Sequence, residues 1–251
     1  MKGCVRLKEL KIFDNNDKSI NYISRTATKG KEVEMVNRYV NSLCNRYKHN
    51  KEKSLSIFIE PKIESGYPDI VIVEYKKKKI DKFYKREEFL NNQDLKILFE
   101  SMRMKRSTVE EIASLLGYSN CKTVEKSIDK LLAYDLVRIN DSGSIISSKD
   151  LKDSAISKIV AIEAKIDKWS EALVQANRNT WFATDSYIML NKETCNENII
   201  ESCKKQGIGI ILVNGKISKI LKSESKKFPI SYGSLLFWEW IIRKGEKKLC
   251  Y

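Results

Sequence analysis

Apolar residues along this chain follow a helical period, then a run of short strands, and then the helical period again. From Lys31 to about Tyr47, Val33, Val36, Val40, Leu43 and Tyr47 recur at helical spacing. Ile57-Phe58-Ile59 and Ile63 read as a strand around Pro61, and Ile70 to Val73 form a continuous apolar run, as in strands buried on both faces. Lys76 to Lys79 read as a solvated turn or strand end. Residues 1–30 are polar beyond a short early apolar stretch, which predicts an N-terminal strand and loop.

A second pattern occupies the middle of the chain. Leu95, Ile97, Leu98 and Phe99 predict one helix. Thr108, with Glu111 three residues on, can cap a second that carries Ile112, Ala113 and Leu116 and ends at Gly117. A third follows Asn120 and holds Val124, Ile128, Leu131 and Leu132. Leu136 to Ile139, Asn140 to Gly143 and Ile145-Ile146 then read as strand, turn, strand.

The first pattern resumes at Ile159. Ile159 to Ala164 predicts a strand, Trp169 to Thr180 a helix, and Tyr187 to Leu190 another strand. A helix near Ile199 to Cys203 precedes a hairpin, Ile208–Val213 and Ile217–Leu221, around Asn214-Gly215. Trp169 and Trp181 are expected to be core aromatics. Leu235 to Ile242, interrupted by Glu239, reads as a core helix, with an interfacial membrane helix as the alternative.

Composition narrows the function classes. Within 251 residues, 47 Lys and Arg face 33 Asp and Glu, a formal charge of +14. A surplus of that size favours a polyanionic partner or an anionic surface. No apolar run reaches the length of a membrane span. Cys4, Cys44, Cys121, Cys195, Cys203 and Cys250 form no CxxC pair, so reduced cytoplasmic thiols are expected rather than disulfides or zinc. The only histidine is His49, which excludes chemistry needing two histidines in one chain. A catalytic metal would then rest on carboxylates, which suits Mg2+, or Mn2+, better than zinc.

Two short motifs supply such carboxylates. Pro68-Asp69 opens a predicted strand in GYPDIVIVEY, and proline is tolerated at a strand start. Glu163-Ala164-Lys165 lies in KIVAIEAKIDKW, where Glu163 and Lys165 share one strand face and Ala164 takes the other. Read together as PD…ExK, the motifs resemble the metal-dependent PD-(D/E)xK nuclease superfamily, over roughly residues 31–80 and 155–220. The middle segment STVEEIASLLGYSNCKTVEKSIDKLLAYDLVRINDSGSII resembles a winged helix-turn-helix.

The resemblance implies an α/β fold: a restriction-endonuclease-like αβββαβ core, residues 1–84 and 155–251, with a winged helix-turn-helix inserted at 85–154. Asp69 and Glu163 stand 94 positions apart, farther than the superfamily usually keeps these strands, and the insert accounts for the gap. It implies metal ligation by Asp69, Glu163 and the carbonyl of Ala164, with Lys165 positioning or activating the attacking water. A glutamate on the first core helix often faces the site in such proteins. Helical phase favours Glu32 over Glu34, and Gln175 and Arg178 on the later helix are placed towards the phosphate and backbone. In the insert, Asn120, Lys122, Thr123, Lys126 and Arg138 are the expected DNA contacts.

The expected function is that of a Mg2+-dependent endonuclease acting on duplex DNA, in restriction or recombination. A DNA-binding regulator with an inactive core and a nuclease directed at RNA or single strands are the alternatives. A homodimer through the Ser234–Ile242 segment is a further expectation.

Overall fold

The computed structural model describes residues 10–13, 29–47, 53–83, 86, 88–148 and 155–246. His49, Cys4, Cys250 and the expected insert boundaries at Lys85 and Ser154 lie outside them. In chain order the elements begin with β1 (Leu10–Phe13), α1 (Lys31–Tyr47), β2 (Ser54–Ile59), β3 (Ile70–Tyr75) and α2 (Lys77–Ile80). Three helices follow, α3 (Asn92–Met104), α4 (Val109–Leu116) and α5 (Lys122–Ala133), then the short strands β4 (Val137–Ile139) and β5 (Ile145–Ser147). The rest comprises β6 (Ile156–Lys165), α6 (Trp169–Asn179), β7 (Asp185–Leu190), α7 (Glu197–Lys205), β8 (Gly209–Asn214), β9 (Lys216–Leu221) and α8 (Tyr232–Glu246).

The chain divides into two compact units, Met1–Lys77 with Ile156–Ile230, and Lys78–Ala155 with Ser231–Tyr251. The first is built on a seven-stranded mixed sheet in the order β1-β2-β3-β6-β7-β8-β9. Strand β3 runs antiparallel to both β2 and β6, α6 and α7 carry the chain across to the parallel strands β7 and β8, and β9 returns antiparallel. The continuous apolar runs predicted for the strands are buried on both faces. On one face Met35, Val36, Tyr39 and Val40 of α1 pack over Ile57, Ile72, Ile162 and Met189. On the other, Ala172, Leu173 and Ala176 of α6 and Ile199 and Cys203 of α7 cover Ile188, Leu190, Ile210 and Leu212.

Two local expectations change. The buried stripe of α1 is centred on Met35, Val36, Tyr39 and Val40, with Val33 only half-buried, because the wide aromatic ring of Tyr39 rather than Val33 fills the sheet face. Strand β2 stops at Ile59; Glu60 adopts φ +45°, and Ile63 instead pairs with Gly66 in a small turn.

The second unit holds α3, α4, α5, the β4–β5 hairpin and α8. Reciprocal side-chain caps open α3, between Asn91 and Asp94, and α4, between Thr108 and Glu111, which satisfies backbone donors that have no partner in a first turn. Gly117 closes α4 at φ +73°, a left-handed conformation that only glycine adopts without strain. Asn140 ties the hairpin turn by accepting from the Ser144 N–H at 2.8 Å. Leu95, Leu98, Ile112, Val124, Leu131 and Val137 form part of the interior.

The C-terminal helix corrects the expected division. Residues 231 onward group with the second unit instead of the sheet. Phe237, Trp238, Ile241 and Ile242 are buried, so the Ser234–Ile242 segment is interior and offers no dimer surface. Glu239, the charge that interrupts this run, is wholly buried and accepts from Arg86 Nη2 at 2.6 Å, Arg243 Nε at 3.1 Å and the Leu90 N–H at 2.9 Å. No helix among the described residues is long and apolar enough to cross a membrane.

Candidate active site

The site sits at the end of the β3–β6 pair. Ile70 lies opposite Ile162, so the next residues outward, Asp69 and Glu163, project from the same sheet face as cross-strand neighbours. Asp69 is fixed there by its own side chain: Oδ2 accepts the Ala164 N–H at 2.7 Å. That bond uses a backbone donor beyond the last regular pair, and the Asp69 carbonyl accepts the Glu60 N–H at 3.0 Å. Pro68, with no N–H to lose, is buried directly before it.

Glu163 is 4% exposed, and its Oε1 accepts from Asn179 Nδ2 at 2.6 Å. Asn179, itself buried, ends α6. It lies one helical turn beyond Gln175, so the two amides share a face of that helix. Gln175 Oε1 is buried without a hydrogen-bond partner among the described residues. The sequence reading named Gln175 and missed Asn179, although the i, i+4 spacing from Gln175 was the available signal.

Lys165 Nζ donates to the Ala164 carbonyl at 3.1 Å and pairs with Glu32 Oε2 at 3.4 Å. Glu32 therefore approaches the site while Glu34 stays exposed, which is the order given by the helix phase. Glu32, Asp69, Glu163, Ala164 and Lys165 form one connected group of contacts, and Arg178 is exposed on α6.

The electrostatics follow from crowding. Burial lifts the Asp69 carboxyl above the ordinary range, opposed by the Ala164 N–H and by Lys165. Burial, and then the neighbouring charge of Asp69, push Glu163 up to about 8, against the pull of Asn179 and Lys165. The two adjacent carboxyls thus oppose each other's ionisation, and added positive charge would favour the doubly ionised pair. A divalent cation would supply it, and two carboxylates with one carbonyl leave positions for water, as Mg2+ demands. No group of three His, Cys, Asp or Glu side chains among the described residues is placed to hold a metal, and Glu32 pairs with Lys165.

The nucleic-acid contacts expected of the insert lie in the second unit, whereas Arg178 belongs to the first. Asn120, Lys122, Lys126 and Arg138 are exposed, and Thr123 is half-buried with its carbonyl accepting from Gln93 Nε2 at 3.4 Å. Asn120 Oδ1 accepts the Lys122 N–H at 3.2 Å. Lys122 and Lys126 stack at i, i+4, but exposed Glu125 and Asp129 stack beside them, so this helix presents both signs of charge.

No family model, curated protein or solved structure matches this chain.

Proposed function

We propose that this protein is a Mg2+-dependent deoxyribonuclease of the PD-(D/E)xK kind. On this reading α1, β2, β3, β6, α6 and β7 are the αβββαβ core, and α3–α5 with β4–β5 are a winged helix that binds the target duplex. One observation carries the reading: half-buried Asp69 and buried Glu163, 94 positions apart in sequence, lie side by side, with Lys165 on the strand of Glu163.

Asp69, Glu163 and the Ala164 carbonyl would hold the ion, which supplies charge neutralisation at the phosphate and a more acidic water. Asn179 keeps one oxygen of Glu163 occupied and so orients the other. Asp69 is held by the Ala164 N–H before any ligand arrives, which lowers the cost of assembling the site. Lys165, which rests on the Ala164 carbonyl and Glu32, would orient the attacking water or balance charge at the phosphate. Glu32 would keep the ammonium within reach. Gln175 Oε1 offers its unfilled acceptor to a water or to a donor on the substrate. Restriction or recombination is the setting that this combination of cutter and reader fits by analogy.

The test is cleavage of plasmid and single-stranded DNA with Mg2+, Mn2+ or EDTA, beside Glu163→Ala. Metal-dependent nicking or linearisation, lost in the variant, is the expected result. Tight duplex binding with no cleavage of any substrate would support a regulator instead.

A further inference from the structure

Positive charge is shared unequally. The sheet unit contains 28 Lys and Arg against 18 Asp and Glu, whereas the unit carrying the expected reading helix contains 19 against 15. Within the sheet unit the surplus concentrates between Lys216 and Lys227, where Lys216, Lys219, Lys222, Lys226 and Lys227 are all exposed and Glu224 is the single acid. Four lysines elsewhere in this unit have acidic partners: Lys53 with Glu74, Lys158 with Asp185, Lys165 with Glu32 and Lys168 with Glu171. None of the five does so among the described residues.

The last part of this run is pinned. Ser223 Oγ donates to Asp185 Oδ1 at 3.1 Å and Ser225 Oγ to Asp185 Oδ2 at 3.0 Å. The Lys226 N–H donates to the Thr184 carbonyl at 2.8 Å, and the Glu224 N–H to the Gly207 carbonyl at 2.9 Å. Gly207 follows exposed Lys204 and Lys205, which end α7. Lys222, Lys226 and Lys227 therefore lie on a segment held by four hydrogen bonds, one of them to Gly207 just beyond the helix end that carries Lys204 and Lys205. Lys226 Nζ also donates to the Thr180 carbonyl at 3.1 Å, and Thr180 follows Asn179, whose amide holds Glu163. The strap is thus two hydrogen bonds and one peptide link from the candidate site.

We propose that Lys222, Lys226 and Lys227, with Lys204 and Lys205, form a phosphate-binding strap that holds the backbone of duplex DNA against the sheet unit. The proposal rests on the nuclease reading. Ammonium groups without acidic partners on a rigid support are what sequence-independent backbone binding requires. Residues 222–227 carry six polar side chains and end before Phe228, so the pinned strap has no apolar face to insert into a bilayer. Its position makes it a sequence-independent grip beside the cutting residues, separate from the reading helix.

The experiment measures duplex DNA binding by fluorescence anisotropy in EDTA across a range of salt. The full chain is compared with K222A/K226A/K227A, and with K122A/K126A in parallel. Each phosphate contact contributes about 0.9 to the slope of log K against log salt, so the triple variant should lose roughly two to three from that slope. The arginine triple K222R/K226R/K227R should keep the slope. Lys222→Glu, which disturbs no hydrogen bond, should weaken binding several-fold alone, with thermal unfolding unchanged. An unaltered slope in the triple variant overturns the strap, as does binding of phosphatidylserine vesicles without binding of DNA. Cleavage by the wild type decides the nuclease reading separately: cutting with an unaltered slope removes only the strap, and slope loss without cutting removes only the nuclease.

Discussion

Asn179 donates to Glu163 at 2.6 Å from the far end of the helix that follows the strand bearing Glu163. The contact links a crossover helix to the sheet at the point where the second carboxylate must be aimed. Groups that orient ligands from behind typically alter metal affinity by about 10–100-fold when removed. Asn179→Leu should weaken Mn2+ binding by about 10-fold in titration calorimetry and lower cleavage, while Asn179→Gln recovers part of both. Unchanged affinity in the leucine variant would make the contact structural only.

The raised Glu163 carboxyl has a consequence for stability. In the folded protein it keeps its proton to about pH 8, whereas the unfolded chain releases it near the ordinary value of 4.5. Between these values the folded state binds more protons, so this group's contribution is full below about 4.5 and falls away as pH rises through 8. Glu163→Gln keeps an acceptor for Asn179 and removes the ionisation. Without metal it should unfold at a higher temperature than the wild type at pH 8.5, with the gap closing at pH 5. An equal gap at both pH values would contradict the buried carboxylate pair. Mn2+ should also bind more tightly as pH rises towards 8, since the ion displaces that proton.

Lys165 and Glu32 should separate from Glu34 in activity. Lys165→Ala should abolish cleavage and leave the circular dichroism spectrum intact. Glu32→Gln should slow cleavage more than Glu34→Gln, because only Glu32 reaches the lysine. The reverse order in steady-state rates would remove Glu32 from the site.

Gly209 stands opposite Tyr187 in the sheet, and a Cβ there would lie 2.1 Å from Tyr187 Cε1 and 2.8 Å from the Ser223 nitrogen. Real atoms do not approach so closely, so Gly209→Ala must displace the ring or the backbone. A loss of about 1–3 kcal/mol is expected in urea denaturation. Adding Tyr187→Ala should cost less than the sum of the two single changes.

Glu239 neutralises two buried arginines. Glu239→Ala leaves both charges without their partner, a change that costs about 3–5 kcal/mol in comparable buried pairs. Glu239→Gln should recover only part of it, as judged by urea midpoints, since the amide cannot match both guanidinium groups.

Much of this architecture was legible in the sequence because its signals are local. The capping pair Thr108 and Glu111, the stop at Gly117, and the turn at Asn214-Gly215 all appear where side-chain chemistry alone puts them. Likewise, the alternation along β6 correctly separated Glu163 and Lys165 from Ala164. What escaped was set by contacts distant along the chain. Nothing near Leu235 to Ile242 reveals that Arg86 waits for Glu239, so the helix was assigned to the wrong unit. Asn179 escaped for a related reason, since its partner lies 16 residues back on another element.

The interleaving of the two units, with the chain entering each twice, also bears on how the molecule is made and taken apart. During synthesis, Asp69 emerges long before its neighbour Glu163, so a ribosome-bound chain carries no complete site until the strand ending at Lys165 has emerged. Arg86 likewise waits for the last helix. A protease making a single cut between residues 78 and 155 would leave both units built from two fragments. The fragments should stay together until a denaturant separates them.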